Sequence, residues 1–223
     1  MKSIKLLATC GLMTAISFST CADSSFSVNG SFKGLSNYLW RGMSLSDDKP
    51  SLQADITLYH DSGFYIGGAF ETYRYEGMTD IEDDYEIDYF AGYYTSLSDD
   101  LALGFTVQQY TYGDADSSTE FVATVDWFNT NLNAYYDKDL ETWYADINYS
   151  FPTEQFGTFT LHAGYFFEGE AYWFMDGNEI SETAYDLSVK YSYWPLDNLE
   201  LLAEVNYQEF YDENYLIGIA YHF

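Results

Sequence analysis

From residue 26 to the end of the chain, apolar and polar positions alternate with a period of two, the mark of strands with two unlike faces. Leu52, Ala54, Ile56 and Leu58 alternate with Gln53, Asp55, Thr57 and Tyr59. Phe121, Ala123, Val125 and Trp127 alternate with Glu120, Thr124 and Asp126, and Tyr185, Leu187, Val189, Tyr191 and Tyr193 with Asp186, Ser188, Lys190 and Ser192. Helical spacing is hard to find beyond residue 22. The pattern predicts about twelve strands, over 26–43, 51–60, 64–75, 85–94, 101–112, 119–128, 131–136, 142–151, 158–167, 183–194, 199–210 and 214–223.

Most of these runs approach the ~9–11 residues that a tilted strand needs to cross a bilayer. The connections fall into two sets. One is short and turn-like (61–63, 96–100, 129–130, 152–157, 195–198), and the other includes the long acidic segments 76–84 and 168–182. Short periplasmic turns and longer outer loops are the habit of outer-membrane barrels. The apolar face is bounded near strand ends by Trp127, Trp143, Tyr149 and Tyr215, as in an aromatic girdle. The opposite face is rich in Gly, Thr, Asn, Gln and Tyr but poor in Lys and Arg, which suits a lumen better than the wet face of a soluble sandwich or lipocalin-like barrel. The predicted fold class is therefore all-β, a closed antiparallel transmembrane barrel of about twelve strands. Closure is required because an open edge in hydrocarbon leaves backbone groups without partners.

Residues 1–22 read differently. Lys2 and Lys5 precede an apolar stretch from Leu6 to Phe18, and Thr20-Cys21-Ala22 suits a cleavage site. A signal peptide over 1–22 and a barrel over 23–223 are expected, with lipoprotein processing at Cys21 as the weaker alternative, since Phe18-Ser19-Thr20 is a poor lipobox. Cys10 and Cys21 both fall in this leader, so the exported chain is expected to have no disulfide or cysteine-based metal site. The segment Asn214 to Phe223, with Gly218, Tyr221 and the terminal Phe223, resembles the C-terminal signature read by the barrel-assembly machinery. The expected location is the bacterial outer membrane, with its lipid and lipopolysaccharide as surroundings.

Charge narrows the function. The chain has 36 acidic and 8 basic residues, a net −28, so nucleic acid and anionic lipid surfaces are disfavoured as partners. With 24 Tyr, 17 Phe and 5 Trp it is too aromatic to be disordered. Asp55, Glu71, Glu86, Asp88, Glu120, Asp126, Asp146, Asp186, Glu200 and Glu204 share the luminal parity, as do Lys33, Arg41 and Lys190. The candidate channel-lining set is Arg41, Asp55, Glu71, Glu86, Asp88, Asp126, Asp146, Asp186, Lys190 and Glu204. Such acids are inward in any barrel, because a lipid-facing charge is costly. In a narrow bore they would also favour cations and exclude anions. Phe90, Phe128, Tyr144, Phe166 and Trp194 share this parity and could fill much of the bore. The outer acids at Asp47-Asp48 and Glu82-Asp83-Asp84 could bridge lipopolysaccharide through divalent cations, but solvated loop charge is the simpler reading. No EF-hand spacing appears, so no metal site and no cofactor are expected.

Catalysis finds little support. His60, His162 and His222 are the three histidines, and no Gly-x-Ser-x-Gly elbow or His-x-x-x-His spacing accompanies them, so no catalytic residue is assigned.

The stretch from Ser36 to Gly67 carries Ser36-Asn37-Tyr38, Trp40-Arg41-Gly42, Ser46-Asp47, Lys49-Pro50, Gln53 and Ser62-Gly63-Phe64-Tyr65 in that order. This resembles the N-terminal hallmark of the TorF-type porins of proteobacteria. The resemblance implies an outer-membrane, porin-like barrel and supplies no catalytic residues. Within it, Arg41 is expected on the first strand, facing the lumen below the Ser46–Pro50 turn and either pairing structurally with Asp55 or with an acid across the bore, or touching the solute at a constriction. The function expected is passive diffusion of small cationic or neutral solutes, with a non-conducting structural or interaction barrel as the alternative.

Overall fold

A computed structural model describes residues 25–76, 81–113, 117–153, 156–167, 174–176, 179–181 and 183–223. The strands are β1 (Phe26–Leu35), β2 (Leu39–Trp40), β3 (Met43–Ser44), β4 (Ser51–His60), β5 (Phe64–Glu76), β6 (Ile81–Ser96), β7 (Leu101–Tyr112), β8 (Ser118–Trp127), β9 (Thr130–Asp137), β10 (Thr142–Thr153), β11 (Gly157–Phe166), β12 (Phe174–Asp176), β13 (Glu179–Ser181), β14 (Ala184–Leu196), β15 (Leu199–Gln208) and β16 (Asp212–His222). Twelve of them close into one barrel, each antiparallel to its neighbours in chain order, while β2–β3 and β12–β13 form separate hairpins.

The alternation read from the sequence sets the two faces. Outward positions carry Leu52, Ile56, Leu58, Ile147, Leu187, Val189, Ile217 and Ile219, all exposed and apolar, the pattern expected of a transmembrane barrel's outer face. Inward positions carry Thr57, Glu86, Asp88, Glu120, Asp126, Asn131, Asp186 and Asn206, all buried and polar. A one-residue slip in any strand would exchange these sets, so the register is strongly specified. The leader expected over 1–22 lies outside the described residues.

The last strand meets the first. Ser31 pairs with His222 and Leu35 with Gly218 across the β1–β16 seam. Phe223 extends it by exchanging two main-chain hydrogen bonds with Gly30, at 2.9 and 3.0 Å, and its ring stacks on Phe32 at 5.6 Å. A Cβ on Gly30 would lie 2.6 Å from the Phe223 ring, so the absent side chain leaves room for the closure.

Two expectations need correction. The first strand ends at Leu35 instead of continuing to residue 43; the alternation beyond it belongs to β2 and β3, whose residues leave the barrel wall. Phe128 is not inside the bore: it occupies a turn with φ 51° and is 51% exposed. In addition, β5 and β6 run further toward their shared loop than the acidic composition of 76–84 suggested.

Candidate functional site

The first connection of the barrel, residues 36–50, folds into the bore. Two features of its sequence make this possible. Arg41 and Gly42 adopt φ 48° and 83° between Trp40 and Met43, the pairing residues of β2 and β3, which makes a two-residue hairpin of the I′ kind. Asp47 and Asp48 adopt φ 50° and 55° in a second turn, closed by Lys49 N–H donating to Ser46 O at 3.0 Å. Aspartate tolerates this left-handed region better than most residues, whereas an arginine there is strained by about 1–3 kcal/mol.

Polar side chains fasten the base of the loop. Asn37, 2% exposed, accepts from the Ser44 hydroxyl at 2.7 Å and donates to Asp48 Oδ1 at 2.8 Å. Tyr38 N–H donates to Ser46 Oγ at 2.9 Å, and Arg74 N–H of β5 donates to Leu45 O at 2.8 Å. The Tyr38 hydroxyl reaches Glu86 on β6 at 3.2 Å.

The tip of the loop is held on the far wall. Arg41 Nη2 lies 2.6 Å from Glu120 Oε1 on β8, and the other oxygen of Glu120 accepts from the Tyr110 hydroxyl at 2.7 Å. The guanidinium carbon sits 4.4 Å from the ring centre of Trp40, 4.5 Å from Tyr135, 4.5 Å from Tyr144 and 5.8 Å from Phe166. A planar cation with weak hydration suits such an aromatic cage, where lysine would give up the stacking and the fork. Met43 packs with Tyr144, Phe166 and Ala184, which are 2%, 0% and 0% exposed. Gly42 has no side chain because none fits: a Cβ would lie 2.8 Å from the Cβ atoms of Asp186 and Gln208. Its carbonyl accepts from Asn214 of β16 at 3.1 Å. The hairpin thus touches walls from β8 round to β16.

The remaining candidate residues are distributed around this plug. Asp55 does not meet Arg41; it faces Lys33 at 3.6 Å and accepts from the Ser31 hydroxyl. Of the two partners expected for Arg41, the acid across the bore is the one found. Glu71, Glu86 and Asp88 gather on the β5–β6 wall, with one carboxylate oxygen from each lying within 4.8 Å of the others. Asp126 accepts from Tyr94 at 2.6 Å and Asn131 at 2.8 Å, and Asp146 accepts from Asn133 and Asn148 at 2.8 Å each. Asp186 is bonded by Tyr144 at 2.8 Å and lies 2.8 Å from His162 Nε2. Lys190 and Glu204 oppose each other across β14–β15. Gly218, Tyr221 and Phe223 lie along the seam strand and its end.

The candidate set lacked Glu120, Tyr135 and Gln208. Glu120 was legible as a luminal acid, but its partner depends on where the loop goes. The signal for that was the pair of turn dipeptides, Arg41-Gly42 and Asp47-Asp48, standing too close together for a continuous strand. The histidines have local partners: His60 Nδ1 lies 2.7 Å from Ser62 Oγ in a turn, and His222 lies 3.1 Å from Glu200 Oε2 with its ring 4.8 Å from Trp194.

The fold is similar to that of solved structures of the KdgM porin. The "KdgM porin" superposes with a TM-score of 0.56 at 10% identity, over 86% of this chain and 98% of that one. The "KdgM porin in complex with disordered oligogalacturonate" gives 0.56 at 9% identity, over 87% and 97%. The COG4313 outer membrane channel from Pseudomonas putida F1 gives 0.49 at 11% identity, over 94% and 98%. At such identity the likeness to the KdgM porin is one of fold. The search of curated proteins found no match. A family model does match, over residues 19–214, and the chain accordingly belongs to Gcw_chp, a family of bacterial proteins of unknown function.

Proposed function

We propose that the chain is an outer-membrane channel whose bore is restricted by the inserted 36–50 loop and that it passes small cationic or neutral solutes. One observation carries this reading: the Arg41 hairpin lies inside the barrel and is tied to the opposite wall at Glu120. A loop so placed sets the narrowest section of a pore, and a wall of carboxylates raises the local concentration of cations. The TorF-type resemblance of residues 36–67 and the porin fold of the structural neighbours support the same reading. The leader, the seam signature and the acidic loops are consistent with export, assembly by the barrel-assembly machinery and a place among lipopolysaccharide.

A second reading has its own observation. Met43, Tyr144, Phe166 and Ala184 form a buried apolar cluster between the hairpin and the β10–β11–β14 wall, which suits a filled, non-conducting barrel with a structural or interaction role. Planar-bilayer recording on purified protein separates the two. Small cation-favouring steps that enlarge when Arg41 is replaced by Gln support the channel. Silence from both proteins across repeated reconstitutions leaves the filled barrel.

A further inference from the structure

We infer that Glu71, Glu86 and Asp88 form a binding site for one calcium-sized divalent cation in the inner wall of the barrel. Two of these residues face each other across the β5–β6 hairpin, where Glu71 pairs with Glu86, and Asp88 follows Glu86 on the same face. One oxygen from each lies within 4.8 Å of the others. Calcium binds carboxylate oxygens at about 2.3–2.6 Å, so ligands on opposite sides of one ion stand roughly 5 Å apart. Three oxygens at this spacing can share an ion without any movement of the strands.

The second observation comes from atoms that have nothing to bond. Asp88 is 4% exposed, and its Oδ2 is taken by Gln108 of β7 at 2.8 Å. Its Oδ1 is buried and, among the described residues, has no hydrogen-bond partner. Gln108 thus occupies one carboxylate oxygen of Asp88 and leaves the other to a ligand. Glu71 Oε2 is likewise buried without a partner among the described residues. Buried carboxylate oxygens are almost always hydrogen-bonded or metal-bound, since leaving one unmatched is costly. Here two such oxygens belong to one cluster.

Charge points the same way. Among the described residues none of the three acids makes an ion pair, and Lys33 on β1 is engaged by Asp55 at 3.6 Å. A divalent cation would neutralise most of this local charge and supply the missing partner to both free oxygens. Tyr38 of the inserted loop donates to Glu86, so the ion would sit beside the base of that loop. The site does not depend on whether the barrel conducts.

The test is calcium binding by the full chain, folded in detergent and stripped with chelator, measured by titration calorimetry and by metal analysis after gel filtration. Wild type is expected to take up one tight equivalent of Ca2+, and Asp88→Asn and Glu71→Gln are each expected to weaken it at least tenfold. Asp139→Asn, in an outer loop, should leave it unchanged. Heat-modifiable migration on gels confirms that each variant is folded, and two independent variants guard against the failure of one. Binding by the folded variants equal to wild type, or no tight equivalent in wild type, overturns the proposal.

Discussion

Arg41 Nη2 lies 2.6 Å from Glu120 Oε1, joining the tip of a loop after the first barrel strand to a strand on the far wall. Both side chains are nearly inaccessible, at 9% and 2%. Breaking a buried pair from one side generally costs about 3–5 kcal/mol, because the abandoned charge loses its solvation as well. Departure of the loop would admit water to Glu120 and lower that cost. The expected result of Arg41→Gln is therefore a folded barrel with larger single-channel steps, and Glu120→Gln should behave the same way. A double-mutant cycle on thermal unfolding should give a coupling of about 0.5–3 kcal/mol, and additive single effects would mean that the pair does not hold the loop.

Gly42 offers a test of the loop's seat that leaves the charges alone. Its φ of 83° strains any L side chain, and a Cβ would press on Cβ atoms of Asp186 and Gln208, which no rotamer change can move aside. Gly42→Ala should destabilise the plugged state by about 1–3 kcal/mol and raise conductance together. The control is Gly34→Ala in β1, where the nearest contacts are at 3.9 and 4.0 Å and little change is expected.

The faces of the barrel were legible in the sequence, and the loop was not, for a physical reason. Period-2 alternation reports only which side a residue takes along an extended chain. Leu39, Arg41 and Met43 keep that alternation while the backbone reverses between Trp40 and Met43, so a hairpin inside the bore reads like three more residues of β1. In the same way, Glu71, Glu86 and Asp88 could be assigned to the lumen one by one. Their gathering required the register across the β5–β6 hairpin, which places Glu71 opposite Glu86. Phe128 failed for the opposite reason: parity was extended one residue past the end of β8, into a turn where alternation has no meaning.

The seam predicts an assembly defect. Phe223 contributes two main-chain hydrogen bonds to Gly30 and a ring stacked on Phe32, at the one junction that joins chain ends distant in sequence. An aromatic pair of this kind contributes about 0.5–1.5 kcal/mol beyond its buried area. Phe223→Ala should therefore slow folding into liposomes and lower the heat-modifiable fraction, and deletion of Phe223, which also removes the hydrogen bonds, should do so more severely. Equal folding of all three proteins would assign closure to the β1–β16 ladder alone.

The two faces also predict unequal tolerance of charge. Ile147 is exposed on the outer surface of β10, and its neighbours Asp146 and Asn148 point inward into a hydrogen-bonded network. Ile147→Arg should cost about 2–4 kcal/mol if the position lies near the bilayer midplane, falling toward zero near an interface. Lys33 and Asp55 are partly exposed on the inner wall, where the cost of charge is met by water and by each other. Asp55→Asn should leave unfolding in liposomes within about 1 kcal/mol of wild type, since a partly exposed pair contributes little. What it should change is selectivity, because it removes one negative charge from the proposed ion path and frees Lys33. The ratio of potassium to chloride permeability, read from reversal potentials in a salt gradient, should fall. A ratio unchanged in Asp55→Asn, with channels of normal size, would place the ion path away from this wall.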